Sequence, residues 1–169
     1  MKLPYLFLIL LNTINGFNIN RNLNVIQVSG YLNSKLCKII KNEIDYLDHF
    51  AQTICNENTI KYSPIVLQLS SLNGDQNEII SLVKHIENDV RCPIFTINNK
   101  MIGGFSSLLF LAGKKRIFRE SSVFYMPNIH CEITQQFYTY PFGVYIPMYK
   151  LSAHEAMIYH YCDEIIYDL

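Results

Sequence analysis

K-M-I-G-G-F-S-S-L-L-F-L-A-G-K-K-R-I-F-R-E-S-S-V-F-Y-M-P, residues Lys100 to Pro127, decides how the rest of the chain is read. The pair Gly103 and Gly104 opens it, an apolar run from Phe105 to Ala112 follows, and Gly113 closes that run. A basic triplet, Lys114 to Arg116, and a short β-like segment, Val123 to Tyr125, complete it. The order is strand, tight turn, buried helix, glycine stop, strand. A glycine pair suits a turn where backbone comes close to another group. The apolar run is far shorter than the roughly 20 residues that cross a bilayer, so it fits a helix buried in a protein core. Gly113 suits a left-handed helix stop. In many enzymes such a turn holds a nucleophile where free N–H groups stabilise negative charge. The chemistry of the chain therefore turns on what stands at this turn.

Upstream, Asn24 to Ser29 alternates apolar and polar residues and ends at Gly30, the pattern of a strand. Asn33 or Ser34 can cap a helix in which Leu36, Ile39, Ile40, Leu47, Phe50, Ala51 and Ile54 recur at helical spacing. The polar run Cys55 to Thr59 reads as a loop. Ile65 to Leu69 is a near-continuous apolar strand, as in a sheet covered on both faces. Ser70 to Asp75 (S-S-L-N-G-D) is a turn. Gln76 to Asp89 carries Ile79, Ile80, Val83 and Ile86 on one helical face, and Cys92 to Ile97 is the next strand. Strands and helices that alternate in this way build a parallel sheet from βαβ units.

Downstream, Asn128 to Lys150 shows no clear period. Ser152 to Tyr161 is a helix with Ser152 as cap and Glu155 at the capping-box position, and Asp163 to Tyr167 is a short last strand. At the other end, Met1 and Lys2 precede the apolar run Leu3 to Leu11 and then Gly16, which together look like a secretory signal spanning residues 1–16. Residues 17–23 are polar and Asn-rich and read as a loose arm; residues 24–169 form a single domain.

The 169 residues carry 14 Lys and Arg against 14 Asp and Glu, so there is no basic surplus to hold nucleic acid and no acidic tail. Five cysteines, Cys37, Cys55, Cys92, Cys131 and Cys162, are odd in number and lack C-x-x-C spacing. They read as buried free thiols rather than a zinc site. The five histidines are scattered, with no metal-ligand pattern, and no cofactor is implied.

These segments resemble the proteolytic subunit of the ATP-dependent Clp protease, the ClpP family, from Asn24 to Ile166. Leu67 to Gly74 (L-Q-L-S-S-L-N-G) is similar to that family's strand followed by N-S-P-G-G. Gly103 to Met126 is similar to its nucleophile turn, its helix ending L-L-x-A-G, its basic K-R and its S-x-V-x-x-H-Q-P segment. The most specific block is Leu151 to Ile166 (L-S-A-H-E-A-M-I-Y-H-Y-C-D-E-I-I), which resembles L-S-A-x-E-A-x-x-Y-G-L-I-D-x-I. The resemblance implies an α/β fold, the crotonase-like ββα spiral, working as stacked heptameric rings. It also implies a shortened handle, since only Asn128 to Lys150 separates the histidine motif from the aspartate position.

Carried over residue by residue, the resemblance puts the family's nucleophilic serine on Gly104, its histidine on Tyr125 and its aspartate on Met148. Glycine offers no nucleophile, a phenol is a poor general base, and a thioether cannot orient an imidazole. The resemblance keeps the oxyanion-hole positions in part: Gly74 falls near the family's second turn glycine, and Phe105 would supply the N–H after the nucleophile. The reading is a non-catalytic ClpP-like subunit in hetero-oligomeric rings with active homologues, working with an AAA+ Clp unfoldase, in a plastid reached through the secretory pathway. The mature form has no membrane or nucleic-acid role. One alternative is an active serine endopeptidase with a rearranged triad using Ser106 or Ser107 and His130. Ser106 lies two residues past Gly104, about 200° around a helix at about 100° per residue, and so faces away from the old site. A further alternative is a crotonase-like acyl-CoA-handling protein.

Overall fold

The computed structural model describes residues 16–54, 63–127 and 148–167. His130, Cys55, Cys131, the signal-like residues before Gly16, most of the segment expected to form a shortened handle and the loop expected at Cys55 to Thr59 lie outside them.

The first element is a correction. The expected loose arm is a strand, β1 (Phe17–Asn20), followed by a 3-10 turn (Arg21–Leu23). Phe17 is buried and anchors it. β1 pairs antiparallel with β2 (Val25–Ser29), and the Ser29 N–H donates to the Gly16 carbonyl at 2.6 Å. Next comes α1 (Ser34–Ile54), whose cap is Asn33: its Oδ1 accepts from the Leu36 N–H at 2.9 Å. Ile40, Ile44 and Leu47 are buried, but Phe50, expected on that face, is half exposed and stacks on Tyr46.

β3 (Ile65–Ser71), α2 (Gln76–Asn88), β4 (Ile94–Gly103), α3 (Ser106–Leu111) and β5 (Lys115–Arg119) continue the alternation. β6 (Val123–Pro127), β7 (Met148–Ser152), α4 (Ala153–Ile158) and β8 (Glu164–Ile166) complete the described chain. The last residues of the stretch that showed no period, 148–150, thus begin a strand. In α4 both halves of the capping box form between Ser152 and Glu155. The helix ends earlier than its pattern suggested, and His160 takes a left-handed backbone at φ 62°.

The sheet runs β1-β2-β3-β4-β5-β8, parallel from β2 onward. β4 forks it. Its first half, Phe95 to Asn98, pairs with β5; its end, Met101 to Gly103, pairs with β6, which in turn pairs antiparallel with β7. Along β3 burial alternates: Ile65, Leu67, Leu69 and Ser71 are buried under the helices, and the residues between them are partly exposed. The sheet is therefore covered less evenly on its second face than the apolar run suggested. There Gln27 donates to Gln68 at 2.9 Å and accepts from Asn18 at 3.2 Å.

One buried cluster joins the helices to the sheet. Asp48 of α1 is buried and accepts from the N–H groups of Arg91 and Cys92 at 3.1 and 2.7 Å, pinning the turn before β4. Cys37, Cys92 and Cys162 are buried free thiols. Gly113 does not take the left-handed backbone expected of a helix stop. A Cβ there would lie 2.2 Å from Thr96 Oγ1, so glycine is required by close packing instead. Among the described residues, no helix is long and apolar enough to cross a membrane.

Candidate functional site

Two turns meet at the carboxyl ends of β3 and β4. In open parallel sheets, ligands bind at this end of the strands. The first turn, Leu72 to Asp75, is held from outside by the connection after β2. The Leu32 N–H donates to the Asn73 carbonyl at 3.1 Å and the Asp75 N–H donates to the Leu32 carbonyl at 2.9 Å. Tyr31 Oη donates to Asp75 Oδ1 at 2.9 Å, and the Ser34 N–H donates to its Oδ2 at 3.1 Å. Gly74 is buried, and a Cβ on it would lie 2.5 Å from Leu32 Cβ.

The second turn is Gly103-Gly104-Phe105. Gly103 ends β4 opposite Tyr125 of β6, and a Cβ on it would lie 2.9 Å from Tyr125 Cβ. Gly104 has φ +53°, a left-handed backbone that L side chains rarely adopt. The register of β6 and β7 sets Met148 opposite Pro127, and Tyr125 opposite Lys150. Gly104, Tyr125 and the Met148 backbone thus belong to adjoining parts of one sheet corner.

Gly74 and Phe105, expected to supply oxyanion donors, both point their N–H groups at a single atom. That atom is Asn73 Oδ1, at 2.9 Å from the Gly74 nitrogen and 3.2 Å from the Phe105 nitrogen. Two backbone N–H groups converging on one oxygen form the arrangement that stabilises an acyl oxyanion. Here a neutral side-chain carbonyl of the same chain fills it. One hint is visible in the sequence, an asparagine inside a turn, since asparagine bonds readily to nearby backbone.

The serines lie deeper. Ser71 Oγ donates to the Asn73 carbonyl at 2.9 Å and stands 2.8 Å from Ser106 Oγ. A hydroxyl has one proton, so Ser106 is the donor to Ser71. Both residues are buried. Ser107 Oγ donates back to the Gly104 carbonyl at 2.6 Å. Among the described residues, the partners of these hydroxyls are backbone carbonyls and one another. Nothing local in the sequence marks Ser71; its neighbour Ser70 is of the same type, and only the alternation of β3 turns Ser71 inward.

The Cys37 thiol, which donates to the Leu32 carbonyl, is raised to about 11 by burial and then by the Glu78 and Asp75 charges, which makes it a poor thiolate. Among the described residues, no three His, Cys, Asp or Glu side chains gather as metal ligands.

No protein-family model matches the sequence, and no curated protein does. Solved structures do match. ClpP1 from Listeria monocytogenes is similar with a TM-score of 0.62 and 14% identity over 88% of this chain and 94% of that one. A point mutant of the same protein gives 0.63 and 15% over the same shares. The ClpP protease catalytic domain from Plasmodium falciparum gives 0.62 and 17%, covering 86% of each chain. At such identities the likeness establishes a ClpP-like α/β fold.

Proposed function

We propose that this chain is a non-catalytic, ClpP-like subunit that joins rings with active ClpP-type homologues and supports ATP-dependent proteolysis through an AAA+ Clp unfoldase. The observation that carries the reading is Gly104. It stands at the tip of the β4–α3 turn, where the resemblance puts the nucleophile, and it has no side chain. The resemblance puts the other two triad members on Tyr125 and Met148, and neither can accept and relay a proton as an imidazole and a carboxylate do. The signal-like residues 1–16 support delivery through the secretory pathway to a plastid.

The test is affinity purification from the native organism followed by mass spectrometry. ClpP-type subunits should co-purify in a ring-sized assembly; recovery as a lone monomer would overturn the reading. A fluorophosphonate probe applied to that assembly should label the partners and leave this chain unlabelled. Labelling that disappears in Ser106→Ala or Ser107→Ala would instead establish a serine peptidase with a rearranged triad. Tight binding of a CoA thioester would favour an acyl-handling role.

A further inference from the structure

The two convergent N–H groups at the corner of the sheet already have an occupant. We propose that Asn73 is a built-in ligand of an acyl-oxygen site. Its carboxamide oxygen closes the Gly74 and Phe105 donors against any group that would present a carbonyl or carboxylate oxygen, and it occupies space that a side chain at residue 104 would need.

The distances carry the first half. Asn73 Oδ1 lies 2.9 Å from the Gly74 nitrogen and 3.2 Å from the Phe105 nitrogen, and these donors come from separate turns. A carbonyl oxygen has two lone pairs, and the two N–H groups use both. An incoming acyl oxygen would have to displace the carboxamide first.

The second half follows from Gly104. A Cβ on Gly104 would stand 2.7 Å from Asn73 Oδ1 and 3.0 Å from Asn73 Cγ. Any side chain at 104 and the carboxamide of Asn73 therefore compete for one volume. The backbone of Asn73 cannot retreat to relieve the conflict, because its carbonyl accepts from both the Leu32 N–H and Ser71 Oγ. Restoring a nucleophile at 104 alone would thus leave the oxyanion donors occupied and the new side chain crowded. All of these contacts lie within this chain, so Asn73 closes the donors whether or not the chain sits in a ring.

The full-length chain carrying Gly104→Ala, Asn73→Ala, or both decides it. Two costs of Gly104→Ala are independent of the Asn73 side chain: the positive φ, and a contact of 2.8 Å with the Leu72 carbonyl. The clash with the carboxamide is not. The fall in Tm caused by Gly104→Ala should therefore shrink markedly in the Asn73→Ala background. Additive Tm shifts would overturn the proposal. Amide hydrogen exchange gives a readout that does not need Gly104→Ala to fold. Exchange at both Gly74 and Phe105 should accelerate about ten-fold in Asn73→Ala, the scale of one lost hydrogen bond. It should slow again in Asn73→Asp, whose carboxylate accepts the same two donors. Unchanged exchange at either amide in Asn73→Ala would overturn the assignment. Acetate should shift the Gly74 and Phe105 amide signals in Asn73→Ala and leave them in place in the parent. Equal shifts in both proteins, or none in either, would show that Asn73 does not close the site.

Discussion

Gly113 and Thr96 pack closely at the end of α3, and they show how one residue fixes the seat of that helix. Thr96 is fully buried in β4 and its Oγ1 donates to the Phe110 carbonyl at 2.7 Å. That bond holds the Thr96 side chain against the helix end, so it cannot swing aside. A methyl group at Gly113 would meet Oγ1 at 2.2 Å and Cγ2 at 2.8 Å. Gly113→Ala should therefore destabilise the protein by about 1–3 kcal/mol, the usual cost of overfilling a packed interior. Urea denaturation checks this, and an unmoved midpoint would refute it. The sequence flagged this glycine for a different reason, a left-handed helix stop. Lack of a side chain serves a positive φ and a close approach equally well, and only the neighbour in space tells them apart. Asn73 was illegible for a related cause. Its carboxamide reaches a donor 32 residues along the chain, at Phe105, and a local pattern carries no sign of that.

At the scale of elements, β8 is a three-residue edge strand held to β5 by more than its ladder. Asp163, just before it, accepts from the Arg116 N–H at 2.7 Å, Nε at 2.9 Å and Nη2 at 2.8 Å, and its own N–H donates to the Arg116 carbonyl. The hydrogen bonds from the Arg116 side chain hold the Asp163 carboxyl below its ordinary value of 3.8, against the opposing pull of partial burial. A carboxyl depressed in the folded state adds stability above its unfolded value and loses it as pH falls through the folded one. Asp163→Asn should thus lower Tm at neutral pH, and the gap from the parent should narrow below about pH 4. A gap that stays constant into acid would exclude the ion pair as its cause. The salt bridge is partly exposed, so the effect should be small and should fall with added salt. Such elements differ in how legible they were. β8 and its Asp showed in a short apolar run after the last helix. β1 did not, because its four residues, F-N-I-N, alternate apolar and polar for only two periods inside an Asn-rich run and owe their strand to pairing with β2. Parallel strands under helices carry long apolar runs; a polar edge strand carries almost none.

For the whole molecule, the decisive packing is a cluster of three phenylalanines that gathers the described elements after β4 around the glycine turn. Phe110 of α3, Phe118 of β5 and Phe124 of β6 are all fully buried. Phe110 meets Phe118 edge-on at 5.2 Å between ring centres, and Phe124 lies 5.7 Å from each of them. Tyr161, between α4 and β8, extends the cluster from Phe124 at 5.8 Å. The helix that follows Gly104, both branches of the forked sheet and the C-terminal segment are thereby tied to one place. The alternation of strands and helices was readable because burial imposes periodicity on sequence. The fork of β4 was not, since one ten-residue strand serving two partners looks the same as a strand and its turn. Phe124 contacts the rings of Phe110, Phe118 and Tyr161, so its loss should be felt by every element that carries them. Phe124→Ala should cost about 3–5 kcal/mol, a large share of the roughly 5–15 kcal/mol that holds a domain folded. Phe124→Leu should cost less than about 2 kcal/mol, because most of the volume remains. Urea titrations followed by far-ultraviolet circular dichroism separate these cases. If the ring is the common support of these elements, Phe124→Ala shifts the midpoint of a single transition. Two separated transitions, or a loss under about 1 kcal/mol, would show that the turn and the C-terminal segment are held independently of this cluster.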